Sequence, residues 1–329
     1  MTAIVARLAE AKTHLAAYGG VVFPLALIIE SPIVMLLSAS TALSKDWPSY
    51  RKLWKFMMSA SAALTALHLL VALTPLYSVI VRGLLGVPEQ IVEPARTGLI
   101  IMLPWTWSIA YRRFHQGVLI RFGHSRHISI GTAIRLAADI IVLLGGYFIG
   151  NIPGIVVACS AVIAGVVSEA IYIGIVVRPV LQQELRPAPL IPEALTTRAF
   201  AAFYIPLVMT SLLSFLSSPI SSAALSRMPL PIESLAAWPA VSGLIFVLRS
   251  PGIAYNEVVV ALLEKAGSYQ ALRRFAITLG VITSGIVLLY TATPLSAFWF
   301  QRVTALQPQL ASLAQQTMWF GLPLPALAT

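Results

Sequence analysis

Residues Gly154–Val177 read GIVVACSAVIAGVVSEAIYIGIVV, a long apolar run in which Glu169 is the sole charged residue. A helix needs about 20 mainly apolar residues to cross a bilayer. The run lacks the strict alternation of polar and apolar residues that is typical of a membrane β-strand. It therefore predicts a transmembrane α-helix that carries one carboxyl group inside the membrane.

The rest of the chain has the same character. Of its 329 residues, 58% are hydrophobic and 10% are charged, whereas a soluble domain has about 25% charged residues. A globule of this size would lack the polar residues needed to cover its surface. The composition predicts an all-α polytopic membrane protein with the lipid bilayer as its main partner.

Nine apolar segments are long enough, or nearly so, to be membrane helices. They lie near Tyr18–Leu43, Leu53–Val81, Gly98–Ile120, Ile128–Ile149, Gly154–Val177, Phe200–Leu225, Leu235–Leu263, Phe275–Phe300 and Leu310–Ala328.

The positive charge lies in alternate loops. The net charge is +10, and the loops after the first, third, fifth and seventh segments hold about half of the Lys and Arg residues, whereas the turn at residues 150–153 has none. Lysine and arginine concentrate on the cytoplasmic side of membrane proteins. We therefore expect a multi-pass protein of the plasma (inner) membrane with these loops in the cytoplasm, and the positive charge does not indicate nucleic-acid binding.

The chain contains an internal repeat. A shift of 219 positions places Ser31-Pro32 on Ser250-Pro251, Thr74-Pro75-Leu76 on Thr293-Pro294-Leu295, and Leu103-Pro104 on Leu322-Pro323. Biased composition explains leucine on leucine, but not Xaa-Pro steps that stay in register without a gap. The sequence therefore predicts a duplicated unit, which is how many transporters form a central site between two halves.

The repeat predicts two lobes that share one orientation. The predicted boundaries are an N-terminal lobe over residues 1–185, a connecting loop over 186–198 and a C-terminal lobe over 199–329. Extending the register beyond both ends gives twelve helices, six per lobe. We therefore expect the chain to be the middle nine helices, truncated at both ends.

Short motifs resemble a known transporter family. The basic turn at residues 117–126 (GVLIRFGHSR) and the Gly/Pro hairpin at residues 151–158 (NIPGIVVA) resemble the multidrug and toxic compound extrusion (MATE) family of the multidrug/oligosaccharidyl-lipid/polysaccharide (MOP) flippase superfamily. Residues 164–169 (AGVVSE), with Ile134-Arg135 upstream, resemble its progressive ankylosis branch. The resemblance implies a two-lobed exporter with a central cavity, alternating access and coupling to Na⁺ or H⁺. The branch implies an anionic substrate.

Charged residues inside apolar segments are costly, and we take them as functional candidates. Glu30 and Arg249 occupy equivalent positions of the repeat. They could form a structural ion pair across the cleft, or a gate that breaks on opening. Arg112 and Arg113 lie within the third segment, where they either extend to the cytoplasmic interface or form a cationic cavity wall that attracts an anion.

Two further groups complete the candidate site. Arg135 and Asp139 share a helix face and are expected to pair with each other. Glu169, on the next segment, could join them or bind a coupling cation. Asn256 and Glu257 could ligate Na⁺ or a proton-linked substrate, or lie at the interface.

The predicted function is secondary-active export of drugs or organic anions by ion-coupled antiport. A lipid-linked oligosaccharide flippase is one alternative, favoured by four or more inward arginines. A non-transporting membrane protein is another. No motif of an enzyme, an ATP site or a metal cluster is present. We expect no cofactor except a coupling Na⁺ or H⁺, and a monomer.

Overall fold

The structure, a computed structural model, describes residues 1–262 and 268–328, except for the side chains at positions 253, 254, 256–258, 260–262 and 328. Helices make up most of the described chain, and no strand occurs in it. The prediction of an all-α polytopic membrane protein is confirmed.

Fifteen α-helices are present in the described ranges. They are α1 (Thr2–Val5), α2 (Ala11–Ala17), α3 (Phe23–Val34), α4 (Leu36–Leu43), α5 (Trp47–Leu73), α6 (Leu76–Ser78), α7 (Val92–Ile101), α8 (Pro104–Arg121), α9 (Arg126–Ile149), α10 (Gly154–Val180), α11 (Thr197–Leu225), α12 (Pro231–Leu262), α13 (Ser268–Ala292), α14 (Leu295–Ala297) and α15 (Pro308–Phe320). Short π-helical segments follow α2, α6, α10 and α14, at Tyr18–Val22, Val79–Leu84, Leu181–Leu185 and Phe298–Val303.

Seven helical stretches in the described chain are long and apolar enough to cross a membrane, rather than the nine expected. The third predicted segment is divided near Leu103 into α7 and α8, because Pro104 has no backbone N–H to continue the helix. Arg112 and Arg113 lower the hydropathy of α8. The ninth predicted segment is α15, which has 13 residues.

The predicted repeat is visible in the helix boundaries. Helices α5 and α13 end at Leu73 and Ala292, and α6 and α14 occupy Leu76–Ser78 and Leu295–Ala297. Each pair of bounds differs by 219 positions. We call each of these short helices together with the π-helical segment after it an arm, Leu76–Leu84 and Leu295–Val303. A residue with positive φ follows each arm at the same offset, Gly86 (φ 66°) and Ala305 (φ 53°).

The first repeat, by which we mean helices α1–α10, has a tightly packed interior, and α11–α15 belong to the second repeat. Helix α10 packs against α8 and α9, and α4 packs against α8. At Gly117 of α8, a β-carbon would lie 1.8 Å from Ser40 Oγ and 2.3 Å from the Leu37 carbonyl oxygen. Because this glycine has no side chain, α4 and α8 can approach each other closely, and this approach positions the polar residues of α8 against α10.

The two repeats meet through α2 and α12. A β-carbon on Gly19, in the π-helical segment after α2, would lie 2.0 Å from Pro239 Cγ of α12. Helix α11 packs mainly on α3 of the first repeat, and Tyr204 donates a hydrogen bond to the Pro32 carbonyl at 2.5 Å. The predicted lobe boundaries stay a prediction.

The segment between α10 and α11 is attached to the start of α5. The Ile191 N–H donates to Asp46 Oδ2 at 3.2 Å. Lys52 Nζ donates to the Leu195 carbonyl at 2.9 Å. The Arg186 guanidinium lies 4.9 Å from the centre of the Trp47 ring. These contacts fix the connection on the first repeat.

Candidate functional site

The candidate site is a cluster of charged side chains around Glu169, between α8, α9 and α10. The Glu169 side chain has no exposed surface. Arg112 Nη1 donates to its Oε2 at 2.8 Å, and Gln116 Nε2 donates to its Oε1 at 3.0 Å. Arg135 Nε lies 3.7 Å from Oε2. Both oxygens of the carboxylate are therefore compensated, as an ion inside a membrane requires.

The sequence places these side chains by helical periodicity. Arg112 and Gln116 are one turn apart on α8, so they lie on the same face and both reach Glu169. Arg135 and Asp139 are similarly spaced on α9, which packs along α10. The cluster lies about midway along α8 and α10.

Two glycines provide the room for this cluster. A β-carbon on Gly131 of α9 would lie 3.2 Å from Glu169 Cγ. On Gly165 of α10, a β-carbon would lie 1.9 Å from Asp139 Oδ1. Side chains at these positions would push the carboxyl groups away, so small residues on both helices are a condition of the arrangement.

Glu30 extends the cluster from α8 to α3. Its side chain is 4% exposed, and its charged neighbours are Arg113 and Arg112. Glu30 Oε2 and Arg113 Nε are buried without a hydrogen-bond partner. Arg113 is also within electrostatic range of Glu169 and Arg135. The result is one connected set of charges that reaches from α3 through α8 to α9 and α10.

The structure pairs the predicted residues differently from two of the expectations. Among the described residues, Glu30 and Arg249 form no ion pair, and the Arg249 Nε has no hydrogen-bond partner. Arg135 makes its ion pair with Glu169 rather than with Asp139. Asp139 Oδ1 is buried without a hydrogen-bond partner, although Arg135 is among its electrostatic neighbours. Glu169 joins this group, which was one of the two roles expected for it.

The remaining predicted residues, Asn256 and Glu257, have side chains outside the described residues. Next to them, Tyr255 is buried and donates to the Leu272 carbonyl at 2.7 Å.

Sequence reasoning missed several polar residues that the structure brings together. Gln116 is four residues after Arg112 in the third predicted segment, and this spacing was a usable signal. Lys12 and Glu233 form an ion pair between the two repeats at 2.7 Å. Arg7 and Arg227 each bind main-chain carbonyls of the other repeat. Every residue has a main-chain carbonyl group, so no residue type in the sequence marks the acceptors of these two contacts.

The arrangement of helices is that of a known class of transporter fold. The chain is similar to a solved structure described as the inward-facing conformation of a multidrug resistance MATE family transporter of the MOP superfamily. The similarity has a TM-score of 0.65 and 16% sequence identity, and it covers 98% of this chain and 77% of the other.

The chain therefore has the MATE transporter fold, which confirms at the level of fold the resemblance seen in the sequence. No protein-family model and no curated protein sequence matches it.

Proposed function

We propose that this protein is a secondary-active exporter that works by alternating access and takes organic anions as substrates. The single observation that carries the proposal is that Glu30, on α3, is buried and has the arginines of α8, Arg113 and Arg112, as its charged neighbours. Arg112 forms an ion pair with Glu169, whereas Arg113 forms none among the described residues, and its Nε is buried without a hydrogen-bond partner. A partly buried guanidinium with free donors attracts an anion with a carboxylate or phosphate group.

The nearby carboxyl group makes the binding of an anion depend on pH. When Glu30 is ionised, its charge offsets that of Arg113 and competes with an incoming anion. When Glu30 is protonated, the arginines have one counter-charge fewer and bind the anion more strongly. A proton suits this position better than Na⁺, because two guanidinium groups would repel a metal cation and Na⁺ needs several oxygen ligands.

The sign of the pH dependence separates the two substrate classes. An anion that binds at Arg113 binds more tightly as the pH falls through the titration of Glu30. An amphipathic cation that binds at Glu30 competes with the proton and binds more tightly as the pH rises. The unpartnered Glu30 Oε2 is the observation that favours a cation. Binding at Arg113 and binding at Glu30 therefore predict opposite dependences of substrate affinity on pH.

The test is transport by the purified chain in proteoliposomes, with radiolabelled citrate and pyrophosphate as anions and ethidium as the cation. We expect saturable anion transport that rises at low pH, is lost in Arg113→Gln and becomes independent of pH in Glu30→Gln. Glu89→Gln is the matched control, because Glu89 is exposed and pairs only with Arg82. Ethidium transport that rises with pH would show that the substrates are cations and not anions. Transport of no probe would contradict the exporter proposal.

A flippase for lipid-linked oligosaccharides is less well supported. It predicts a lining dominated by cations, whereas the described cluster brings together Arg112, Arg113 and Arg135 with the carboxyl groups of Glu30, Asp139 and Glu169. Saturable transport of the water-soluble anions, with no movement of a fluorescent lipid-linked glycan between leaflets, would separate the two activities.

We further propose that the protein lies in the plasma (inner) membrane with the cation-rich loops in the cytoplasm, as the loop charges indicate. The side with Arg7 and Arg227 is then extracytoplasmic. Labelling of Gly83→Cys in intact cells with a membrane-impermeant maleimide tests this orientation, since no atom lies within 4 Å of a β-carbon built there. Labelling only after the membrane is opened would reverse the assignment.

A further inference from the structure

Two arginines bind the repeats together on the side of the membrane where residues 1–10 lie, which we call the clamp side. Arg7, in the first repeat, donates through Nη2 to the Arg302 carbonyl at 3.2 Å and through Nη1 to the Val303 carbonyl at 3.3 Å. Arg227, just before α12, donates through Nη2 to the Leu84 carbonyl at 3.1 Å and through Nη1 to the Leu85 carbonyl at 3.3 Å. Each arginine therefore holds the end of the π-helical segment of the other repeat.

The two clamps are related by the internal repeat. The position equivalent to Arg227 is Leu8, one residue after Arg7, and the acceptors are displaced by one residue in the same direction. Each guanidinium also binds the carbonyl four residues before it, Ala3 and Ala223. The same local geometry and the same kind of acceptor thus occur twice.

The acceptors suit an arginine. The last carbonyls of a helical segment have no intrahelical donor, and they form the negative end of the helix dipole. A guanidinium donates to two adjacent carbonyls at once, which a lysine cannot do with the same geometry. The clamp is therefore specific to arginine and independent of the side chains on the acceptor segment.

Other contacts on the clamp side also hold the two repeats together. Lys12 Nζ and Glu233 Oε1, 2.7 Å apart, form the one ion pair between the repeats among the described residues. Gly19 lies against Pro239 below it. On the opposite side, the hydrogen bond between His124 Nε2 and Glu184 Oε1, 2.7 Å long, stays within the first repeat. Polar contacts between α12–α15 and the first repeat are thus concentrated on the clamp side.

We propose that Arg7 and Arg227 are a paired lock that keeps the clamp side closed, and that both contacts must break before the protein can open to that side. The inference rests on the proposed alternating-access function, because a lock has a purpose only if the two repeats separate. The acceptors are main-chain atoms, so the lock needs no titration and holds across the physiological pH range.

The experiment measures the distance between the two arms in the full chain. Spin labels on Gly83→Cys and Gln301→Cys, both exposed, report the separation in a Cys159→Ala background by pulsed electron paramagnetic resonance. We expect one narrow distance population, that of the closed clamp side, with both arginines present. With Arg7→Gln and Arg227→Gln together, we expect the ratio of long-distance to short-distance populations to rise about tenfold.

Further variants serve as controls for the distance measurement. Arg82→Gln removes a cation on the same side whose partner Glu89 is in its own repeat, and the distances should not change. Each single variant should give an intermediate shift, and these decide the question if the double variant is not monodisperse. Arg7→Lys should retain less than half of the closure. An unchanged distribution in the arginine variants, or an equal shift in Arg82→Gln, would overturn the proposal.

The measurement uses no substrate and is therefore separable from the test of transport. Opened distributions without transport of any probe would contradict the exporter proposal alone. Transport together with an unchanged distribution would contradict the lock alone.

Discussion

At the scale of single residues, Glu169 is surrounded by Arg112, Gln116 and Arg135 and has no contact with solvent. We expect Glu169→Gln to lower the free energy of unfolding by about 3–5 kcal/mol, because it leaves a buried guanidinium without its counter-charge. Thermal unfolding in detergent measures this.

The matched variant removes both charges of that ion pair. Arg112→Gln together with Glu169→Gln should cost clearly less than the sum of the two single changes, because no uncompensated charge is left. Additive effects would show that the two side chains do not depend on each other.

Asp46 gives a second prediction at this scale. Its Oδ1 accepts the Ser49 N–H at 3.0 Å and caps α5, and its Oδ2 accepts the Ile191 N–H. Asp46→Ala should cost about 1 kcal/mol of unfolding free energy. Asp46→Asn keeps an acceptor for the cap and should cost only a few tenths of that amount.

The same residue predicts a dependence on pH. Burial, the largest single influence, would raise the pKa of Asp46, but the hydrogen bonds from Ser49 and Ile191 together hold that pKa below its ordinary value of 3.8. Because the folded pKa is the lower one, the stabilisation is present above the ordinary pKa and is lost as the pH falls below it. Unfolding curves of wild type and Asp46→Asn should therefore converge as the medium becomes strongly acidic. A constant separation would contradict this account.

The sequence identified the charged residues of the site but not their pairing. Glu30, Arg112 and Glu169 each stood out because a charge within an apolar segment is rare. The spacing of Arg135 and Asp139 indicated an intrahelical pair, whereas the rotation of α10 against α9 brings Glu169 to Arg135 instead. Such rotation depends on side-chain packing between helices, which local periodicity does not specify.

At the scale of elements, Gly165 controls how closely α9 approaches α10. Gly165→Ala would place its β-carbon 1.9 Å from Asp139 Oδ1, so the Asp139 carboxyl group must leave its position or the two helices must move apart. We expect a loss of about 1–3 kcal/mol in unfolding free energy, measured by thermal unfolding in detergent. The control is Gly145→Ala on α9, where a β-carbon would meet nothing within 4 Å. It should be neutral or slightly stabilising, because alanine has the higher helix propensity.

The two arms that follow α5 and α13 make a paired prediction. Gly86 and Ala305 occupy equivalent positions with positive φ, a region that costs a non-glycine residue about 1 kcal/mol. Ala305→Gly should therefore raise the melting temperature slightly, and Gly86→Ala should lower it. Ala271→Gly, at an exposed position inside α13, is the control and should destabilise by about 0.5–1 kcal/mol. The same sign for Ala305→Gly and Ala271→Gly would exclude backbone strain at Ala305.

The arms also show what the repeat could and could not predict. Their Thr-Pro-Leu steps were visible in the sequence, and α6 and α14 follow them at the expected offset. The clamps were hidden because Arg7 and Arg227 are one position out of register, so an alignment without gaps pairs Arg227 with Leu8. A displacement of one residue is small for a long arginine side chain, but it removes the signal from a position-by-position comparison.

At the scale of the whole molecule, the packing divides the helices unevenly between the two repeats. Helix α11 packs on α3, and the segment before it is bound to α5 through Asp46 and Lys52. The part of the chain that would move against the first repeat in the proposed alternating access therefore begins at the turn after α11, which contains Arg227 and leads into α12. Its contact with α2 and the following π-helical segment is the surface on which any such motion must occur.

Gly19 tests that surface without changing a charge. A β-carbon there would lie 2.0 Å from Pro239 Cγ, and a proline ring cannot rotate away. Gly19→Ala should therefore separate the repeats on the clamp side and lengthen the distance between labels at positions 83 and 301. Gly243→Ala, also on α12 but with nothing within 4 Å of its β-carbon, should leave that distance unchanged. If Gly19→Ala lowers the melting temperature while the distance stays the same, the strain is absorbed within one repeat, and α2 and α12 do not form the surface of motion.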